Sequence, residues 1–397
     1  MRLVNRGSVA VLALPVGVAL LAAGVAGGAM SAAQEPDPVI SVQPANNSQG
    51  VPTDAPVVVT VSGGRLKQVT VHGPQGDLQG RISADATRWR GRRTTLPGTV
   101  YTVTALAVDA AGKPIRTSST FTTVKPVTSF GLSQILPSKE ETGLTVGVGM
   151  PIMLTFDHEV TDRVSVERNL LVRTSKPVEG AWHWFDSRHV DFRPMEYWPA
   201  NTRVRLEARL NGARGGPGLY GGRDYTVDFK IGRSQITSGS TDEHHLSVRR
   251  DGDVIRSMPM SAGQGGAWKY YTTSGVHLAM SRERVTTMVS PGIGPGQSGY
   301  YRMTVYNTVR ISNSGEYVHS APWSVGSQGY SNVSHGCVNI SPSDAAWFIR
   351  NTLIGDPIII TGSPRKLEPM NGWGHWQESW KEWLQWSAIK AGPTDDL

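Results

Sequence analysis

Cysteine is almost absent from this 397-residue chain, and Cys337 is the single example. One cysteine cannot close a disulfide within the chain, so an internal disulfide framework is excluded. A lone cysteine is commonly a small, buried apolar residue. Here, however, the neighbours Ser334, His335 and Asn339 are polar, and Gly336 allows unusual backbone dihedral angles. This environment favours a reactive thiol, which would need a base.

Long hydrophobic runs are also missing beyond the N-terminal region. Residues 8–30 carry no charge and follow two arginines, and the small residues at 31–34 offer a cleavage site after Ala33. This arrangement is typical of an export signal, and the run is long enough to remain as an uncleaved membrane anchor. We therefore expect residues 1–33 to be a signal peptide or anchor. The rest of the chain would act in the periplasmic or cell-wall space.

Helical periodicity is scarce, whereas the chain contains 45 glycines and 25 prolines. Short segments of alternating polarity, separated by turns, predict a mainly β protein. Residues 34–125 and residues 126–233 each have the pattern of an immunoglobulin-like β-sandwich, without the disulfide of antibody domains. Residues 234–365 form a third, β-rich domain with one short helix. Residues 366–397 form a C-terminal tail.

Two helices are predicted near the C-terminus. Residues 343–353, SDAAWFIRNTL, have apolar residues at helical spacing, and Ser341 or Ser343 would be the N-cap. In the tail, a helix would place an aromatic stripe on one face. The tryptophans of this stripe are Trp373, Trp376, Trp380, Trp383 and Trp386. We expect the stripe to pack on the third domain; the alternatives are an interfacial membrane helix or a glycan-binding surface.

The charge balance is basic, with a formal net charge of +7. For an exported protein this favours anionic surroundings, such as cell-wall polymers or phospholipid head groups. Nucleic acid is not an expected partner outside the cytoplasm. The densest basic cluster is RWRGRR at residues 88–93. We interpret it as a solvated strand edge whose charges discourage pairing between sheets.

Histidines are the candidate bases for the thiol. His335 lies two residues before Cys337, and His319 lies 18 residues before it in a strand-like segment. Either imidazole could accept the thiol proton or form an ion pair with the thiolate. These three residues could also bind zinc, but no clear fourth ligand accompanies them, so no metal is expected. His183 and His189, in strand-like segments of the second module, are interpreted as packed or surface residues.

The segment VHSAPWSVGSQGYSNVSHGCVNIS, residues 318–341, resembles the active-site signature of L,D-transpeptidases, the YkuD-type catalytic domain. That signature is a His, a variable loop, then Ser or Thr followed by His-Gly-Cys, one apolar residue and Asn. The matching residues are His319, Ser334, His335, Gly336, Cys337, Val338 and Asn339. The domain layout is also similar to that of mycobacterial members, with two immunoglobulin-like modules before the catalytic domain.

The resemblance implies roles for the cysteine, for the two candidate bases and for Ser320. Cys337 would be the nucleophile and His319 the base that activates it. Ser320 would orient His319 through its backbone carbonyl, and His335 would flank the thiol. These assignments fit the chemistry of a cysteine nucleophile paired with an imidazole.

Further supporting residues follow from the same signature. Backbone N–H groups of Gly336 and Cys337 suit an oxyanion hole, because glycine lets a carbonyl oxygen approach closely. Asn339 would hold the loop geometry, and Ser334 completes the motif. In this family a tyrosine from a mobile lid helps to bind the donor, and the candidates are Tyr301 and Tyr300. The lid would be a glycine-rich loop with Gly292, Gly294, Gly296 and Gly299.

The resemblance implies acyl transfer on peptidoglycan stem peptides. A donor tetrapeptide would form a thioester on the thiol and release D-Ala, and an acceptor stem would then make a 3→3 cross-link between diaminopimelate residues. β-Lactams, carbapenems especially, would acylate the same thiol, and no cofactor is needed. The alternatives are an L,D-carboxypeptidase-type hydrolase with the same Cys/His pair, and a non-catalytic spacer that binds the wall.

Overall fold

Strands of alternating polarity build the first module. The computed structural model describes residues 38–290, 293–298 and 300–397. Along Val100–Val108 alternate side chains are buried, because successive residues of a strand point to opposite faces. Within the described residues this module consists of two sheets. In spatial order their strands are Val39–Gln43, Val58–Ser62, Arg88–Gly91 and Gly80–Ile82, and Ser48–Val51, Pro114–Thr123, Val100–Val108, Arg65–Gly73 and Gly76–Asp77.

The second module includes two strands contributed by the C-terminal tail. Its large core contains the buried aromatic residues Trp182, Trp184 and Trp198. A short helix, Arg163–Glu167, lies at its periphery. The sheets found in the described part of the module have the strands Thr128–Phe130, Leu219–Gly221 and Arg214–Gly216; Leu132–Leu136, Ile152–Phe156, His189–Pro194, Glu179–Trp184 and Gly392–Pro393; and Thr145–Val146, Tyr225–Ile231, Arg203–Ala208, Leu170–Thr174 and Asp395–Asp396.

The third domain is one continuous mixed sheet, with nine strands in the part of the chain that the structure describes. A helix, Pro342–Asn351, covers its core through the buried Ala345 and Phe348. Short 3₁₀ turns lie at Trp268–Tyr270 and Pro322–Ser324. In spatial order the strands are Gly275–Leu278, Pro357–Thr361, Gln235–Ser240, His245–Arg250, Asp253–Ser261, Val338–Ile340, Tyr317–Ser320, Arg302–Arg310 and Ser281–Val289.

These sheets confirm the prediction of a mainly β protein with immunoglobulin-like modules and a β-rich third domain. The predicted helix after the cysteine is also present. Of its two candidate caps, Ser341 is the N-cap, and its hydroxyl accepts a hydrogen bond from the N–H of Asp344. The strands Gln235–Ser240 and Ser281–Val289 were not predicted.

The basic motif at residues 88–93 does not form a sheet edge. Its strand, Arg88–Gly91, pairs with Val58–Ser62 on one side and with Gly80–Ile82 on the other. Trp89 is buried in the core of the module. The interpretation as an edge strand was therefore wrong, because a short strand covers the outer side of the motif.

The tail does not form the predicted continuous helix. A capping box at Ser379 starts a helix that spans only Trp380–Trp383, and a 3₁₀ turn follows at Leu384–Trp386. The preceding residues include Gly372, whose φ of +96° is unsuited to a right-handed helix. The five tryptophans therefore do not share one helix face.

The tail also packs differently from the prediction. Trp383 is fully buried against the second module, where its indole N–H donates to the carbonyl of Ala181 at 3.0 Å. The indole N–H of Trp376 reaches the carbonyl of Gly149 in the same module, at 2.9 Å. Contacts with the third domain come from other residues, including the amide of Gln377, which donates to the carbonyl of Val276 at 2.7 Å. The tail thus links the two domains.

The two histidines interpreted above as packed or surface residues, His183 and His189, are of one kind each. His183 is buried, and its Nδ1 lies 3.0 Å from the carbonyl oxygen of Trp383. His189 is exposed and pairs with Asp186. The predicted export segment, residues 1–33, lies outside the described residues. None of the helices in the described part of the chain has the length and apolar character needed to cross a membrane.

Candidate active site

Two parallel strands bring His319 and Cys337 to the same cavity. Tyr317–Ser320 pairs in parallel with Val338–Ile340, and His319 lies opposite Asn339 in this register. Cys337 directly precedes the second strand, so the intervening loop returns the chain beside its start, as predicted. The cavity has a volume of about 230 Å³. Its lining residues are Met288, Tyr301, Met303, His319, Trp323, Val333, Ser334, His335, Cys337 and Asn339.

His319 is buried and held by one backbone contact. Its Nδ1 lies 2.9 Å from the carbonyl oxygen of Ser320. Because a carbonyl can only accept, this contact assigns the proton to Nδ1 and leaves Nε2 as the basic atom. Burial lowers the pKa of His319 below its ordinary value, and the Ser320 contact opposes this shift. The imidazole is therefore neutral at physiological pH and able to accept a proton.

Cys337 is half-buried and carries a protonated thiol in the resting structure. Its Sγ–H donates to the carbonyl of Gly315 at a sulfur–oxygen distance of 3.7 Å. Desolvation raises the pKa of the Cys337 thiol to about 12, and the carboxylate of Glu316 contributes to the rise, whereas the N–H of Tyr317 opposes it. A neutral thiol beside a neutral imidazole calls for proton transfer during attack rather than a resting ion pair.

His335 has a different environment from His319. The residue is exposed, and its ring lies between two tyrosines. The ring centroids are 4.7 Å from Tyr270 and 5.5 Å from Tyr301. His335 therefore forms part of an aromatic wall beside the thiol, and of the two candidate bases it is His319 that a backbone carbonyl orients.

The cysteine turn is closed by Ser334. Its hydroxyl donates to the carbonyl of Cys337 at 2.6 Å and accepts from the N–H of Gly336 at 3.1 Å. Gly336 has a φ of +129°, which an L-residue rarely adopts. In this structure the Gly336 N–H is engaged by the Ser334 hydroxyl, and its service in an oxyanion hole stays a prediction. The other predicted oxyanion-hole donor, the N–H of Cys337, is not engaged by Ser334.

Asn339 holds the loop on the other side of the cavity. Its Nδ2 donates to the hydroxyl of Ser324 at 3.2 Å. Ser324 in turn belongs to the 3₁₀ turn that follows His319. This contact agrees with the predicted role of Asn339 in loop geometry.

The buried carboxylate of Glu316 is connected to the cysteine turn through hydrogen bonds. Glu316 accepts hydrogen bonds from the N–H of Thr273 at 2.6 Å and from the Thr273 hydroxyl at 2.9 Å. The hydroxyl of Ser314 donates to it at 3.2 Å. The adjacent Thr272 donates its hydroxyl to the carbonyl of Gly336 at 2.7 Å. The segment at Thr272 and Thr273 thus connects Glu316 with the backbone beside the thiol.

Tyr301 lines the cavity, whereas Tyr300 is not among its lining residues. The loop before them connects Ser281–Val289 with Arg302–Arg310, and its ends are joined by the N–H of Ser290, which donates to the carbonyl of Tyr301 at 3.1 Å. Gly294 and Gly296 of the predicted lid belong to this loop. Gly292 and Gly299 lie outside the described residues.

Four apolar cavity residues were not predicted from the sequence. Met288 and Met303 come from the two strands that flank the glycine-rich loop, and Trp323 and Val333 come from the loop between His319 and Cys337. Trp323 is more than half exposed, at 55%. The sequence feature that could have predicted this apolar part of the cavity is the tryptophan within the variable loop of the signature. Among the described residues, no group of three or more His, Cys, Asp or Glu side chains is arranged to hold a metal ion.

Comparison with known families gives two matches. Residues 48–214 match the bacterial Ig domain, and residues 238–360 match the L,D-transpeptidase catalytic domain. L,D-transpeptidase 5 of Mycobacterium tuberculosis is 34% identical over 361 residues, which cover 89% of this chain and 78% of the relative. L,D-transpeptidase 2 of the same species is 34% identical over 88% of this chain and 85% of its own length.

Solved structures match somewhat more than half of the chain. An L,D-transpeptidase in complex with imipenem is 39% identical, with a TM-score of 0.49, and the match covers 58% of this chain and 99% of that chain. An L,D-transpeptidase from Mycobacterium smegmatis is 36% identical, with a TM-score of 0.48 over 59% of this chain and 99% of that chain. On the identity and coverage of the full-length relatives, this chain belongs to the L,D-transpeptidase family.

Proposed function

We propose that this chain is a cysteine acyltransferase that forms 3→3 cross-links between diaminopimelate residues of peptidoglycan stem peptides. The observation that carries the proposal is the placement of Cys337 and a carbonyl-oriented His319 on one cavity. A nucleophile, a base and a group that orients the base are the parts that covalent acyl transfer requires. The hydrolase and the non-catalytic spacer remain the competing functions.

In the first half-reaction the sulfur of Cys337 attacks the carbonyl that joins diaminopimelate to the terminal D-Ala. Nε2 of His319 accepts the thiol proton as the C–S bond forms. The N–H of Cys337 would stabilise the developing oxyanion. The protonated His319 then donates to the leaving nitrogen, the C–N bond breaks, and D-Ala departs with a thioester left on the enzyme.

In the second half-reaction the side-chain amine of an acceptor stem attacks the thioester. His319 accepts a proton from this amine, and the C–S bond breaks. The thiol regains its proton from His319, and a new amide joins the two stems. If water replaces the amine, the same residues release a tripeptide, and the enzyme behaves as a carboxypeptidase.

We also infer that the protein is exported and acts in the cell-wall space. The uncharged segment at residues 8–30, which follows two arginines, supports this location. A β-lactam offers the thiol a strained amide carbonyl, so carbapenems such as imipenem would acylate Cys337. The complex of a relative with imipenem supports this expectation.

Incubation of the purified protein with a disaccharide tetrapeptide, followed by mass spectrometry, tests the proposal. We expect a cross-linked dimer that has lost one D-Ala. Cys337→Ala should abolish both the dimer and the covalent imipenem adduct, whereas His72→Ala, an exposed histidine of the first module, should leave them unchanged. A tripeptide without dimer would identify a hydrolase. An imipenem adduct on Cys337→Ala would contradict the assignment of the nucleophile.

A further inference from the structure

The basic motif at residues 88–93 has no part in the thiol site. Two of its residues, Arg92 and Arg93, instead line two cavities at the junction of the first and second modules. The cavities have volumes of about 530 and 640 Å³. Neither shares a lining residue with the cavity at Cys337. The motif therefore belongs to a separate feature of the molecule.

The lining of these two cavities, called here the junction clefts, is strongly basic. Seven arginines and four carboxylate side chains line them, which leaves an excess of three positive charges when all are ionised. The arginines are Arg90, Arg92, Arg93, Arg168, Arg173, Arg209 and Arg214, and the acidic residues are Asp54, Asp162, Glu207 and Asp224. Both modules contribute to this set, so the clefts exist only where the modules meet.

Part of this charge stabilises the junction itself. Arg93 forms an ion pair with Asp224 of the second module. Within the second module Arg214 pairs with Asp162 at 2.7 Å. Next to the Arg93 pair, the hydroxyl of Thr94 donates across the junction to the carbonyl of Asn211 at 3.2 Å. These contacts explain why Arg93 is present.

The contacts of the junction do not explain why three other arginines are present. Arg90, Arg92 and Arg168 are exposed, and their guanidinium groups have no hydrogen-bond or ion-pair partner in the described part of the chain. Arg90 and Arg92 come from the first module and Arg168 from the second, yet all three line the 530 Å³ cleft. Unpaired like charges that converge on one concavity repel each other and concentrate a positive field there.

We propose that the junction clefts bind a polyanionic cell-wall polymer. A guanidinium group presents a planar fork of N–H donors that matches carboxylate and phosphate oxygens, and this geometry suits a polymer with repeated anionic groups. Arg92 lines both clefts, so a chain that passes from one cleft to the other would follow this residue. Two sources share the required chemistry: the carboxylates of peptidoglycan stems and the phosphodiesters of secondary wall polymers.

Sedimentation with insoluble cell-wall sacculi tests the proposal. The Arg92→Glu/Arg168→Glu protein reverses one unpaired charge in each module. The matched control, Arg116→Glu/Arg203→Glu, changes the net charge equally at exposed arginines, one in each module, that lie outside both clefts. We expect the cleft variant to bind at least about tenfold more weakly than the parent, with binding by the control within about twofold of it. Binding of the parent should also weaken as salt increases.

Acid treatment removes phosphodiester-linked polymers from sacculi. Binding to the treated sacculi therefore distinguishes the two sources of anionic groups. Retained binding would assign the site to peptidoglycan carboxylates, and lost binding would assign it to the secondary polymer. Equal weakening in both variants, or a parent that binds neither preparation, would overturn the proposal. The rate of imipenem acylation, measured in parallel, reports on Cys337 alone, so a failure of the proposed enzymatic function is seen separately.

Discussion

The guanidinium carbon of Arg193 lies 4.7 Å from the ring centroid of Trp383. This contact joins the core of the second module to the C-terminal tail. Trp376 and Trp380 stand against the same guanidinium, at 4.7 and 5.2 Å. Arg193 is only 2% exposed, and its Nη2 donates to the carbonyl of Glu378 at 3.0 Å. Cation–π contacts are strongest where water is excluded, so this cage anchors the tail.

We predict that Trp383→Ala destabilises the protein much more than Trp386→Ala. Trp383 is 0% exposed and Trp386 is 57% exposed, although they lie three residues apart. Loss of a fully buried tryptophan leaves a cavity and costs about 3–5 kcal/mol, whereas loss of an exposed side chain costs about 0.5 kcal/mol. Thermal and urea unfolding of the two variants measure this difference. Equal midpoints would show that the tail does not stabilise the second module.

The tail shows where sequence patterns are insufficient. A spacing of three or four residues between tryptophans predicts a helix, but it does not identify the surface that receives them. That surface is formed by Ala181, His183 and Arg193, which lie far from the tail in the sequence. Long-range packing of this kind overrides a local helical pattern, and only the fold brings the partners together.

The candidate site was predictable because most of its parts lie in one continuous segment. His319, Ser320 and Cys337 belong to two neighbouring strands and their loop. Their spacing permits proximity, and the resemblance to the L,D-transpeptidase signature singled out His319 and Ser320. Residues from distant parts of the chain, such as Met288 and Thr273, could not be found in this way. The hydrogen bond of the Gly336 N–H could not be predicted from the sequence either, because this bond depends on the rotamer of Ser334.

We predict different kinetic effects for the two histidines beside the thiol. His319→Ala removes the oriented imidazole and should slow acylation by imipenem about 10²–10⁴-fold, the usual contribution of a general base. His335→Ala removes a ring from the wall between Tyr270 and Tyr301 and should have a smaller effect. Stopped-flow measurement of acylation compares them, with His72→Ala as the control. If His319→Ala acylates at the parental rate, the base must be sought elsewhere.

We predict that Glu316→Gln makes the thiol more reactive at neutral pH. The negative charge of Glu316 contributes to the raised pKa of Cys337, so its removal should lower that pKa and increase the thiolate fraction. The variant should also lose about 1–3 kcal/mol of stability, because an amide cannot accept all of the hydrogen bonds that Thr273 and Ser314 donate.

Alkylation by iodoacetamide between pH 6 and 10 measures this effect directly. The rate profile of Glu316→Gln should shift toward lower pH, whereas that of Glu243→Gln, an exposed residue of the same domain, should match the parent. An unchanged profile for Glu316→Gln would mean that its charge does not reach the thiol. Its role would then be limited to holding the turn.

We predict that acid weakens the attachment of the tail through His183. Desolvation lowers the pKa of His183 to about 4, and the positive charges of His375 and Arg193 lower it further, whereas the carbonyl of Trp383 opposes the shift. Glu378 is the facing carboxylate, 3.6 Å from Nδ1 of His183. The unfolded chain has an ordinary histidine pKa of about 6.5, so between these values it binds a proton that the folded protein excludes. The stability contributed by His183 is therefore complete above pH 6.5 and is lost as the pH falls toward 4.

Melting temperatures measured from pH 7.5 to pH 4 test this prediction. His183→Gln keeps a side-chain donor for the Trp383 carbonyl but cannot take up a proton, so its melting temperature should fall less steeply than that of the parent. His189→Gln removes an exposed histidine of the same module and should follow the parental curve. Asp191, which lies 2.7 Å from His375 and whose pKa is raised by burial, is present in every variant, so part of the pH dependence persists. Parallel curves for His183→Gln and the parent would show that protonation of His183 does not loosen the tail.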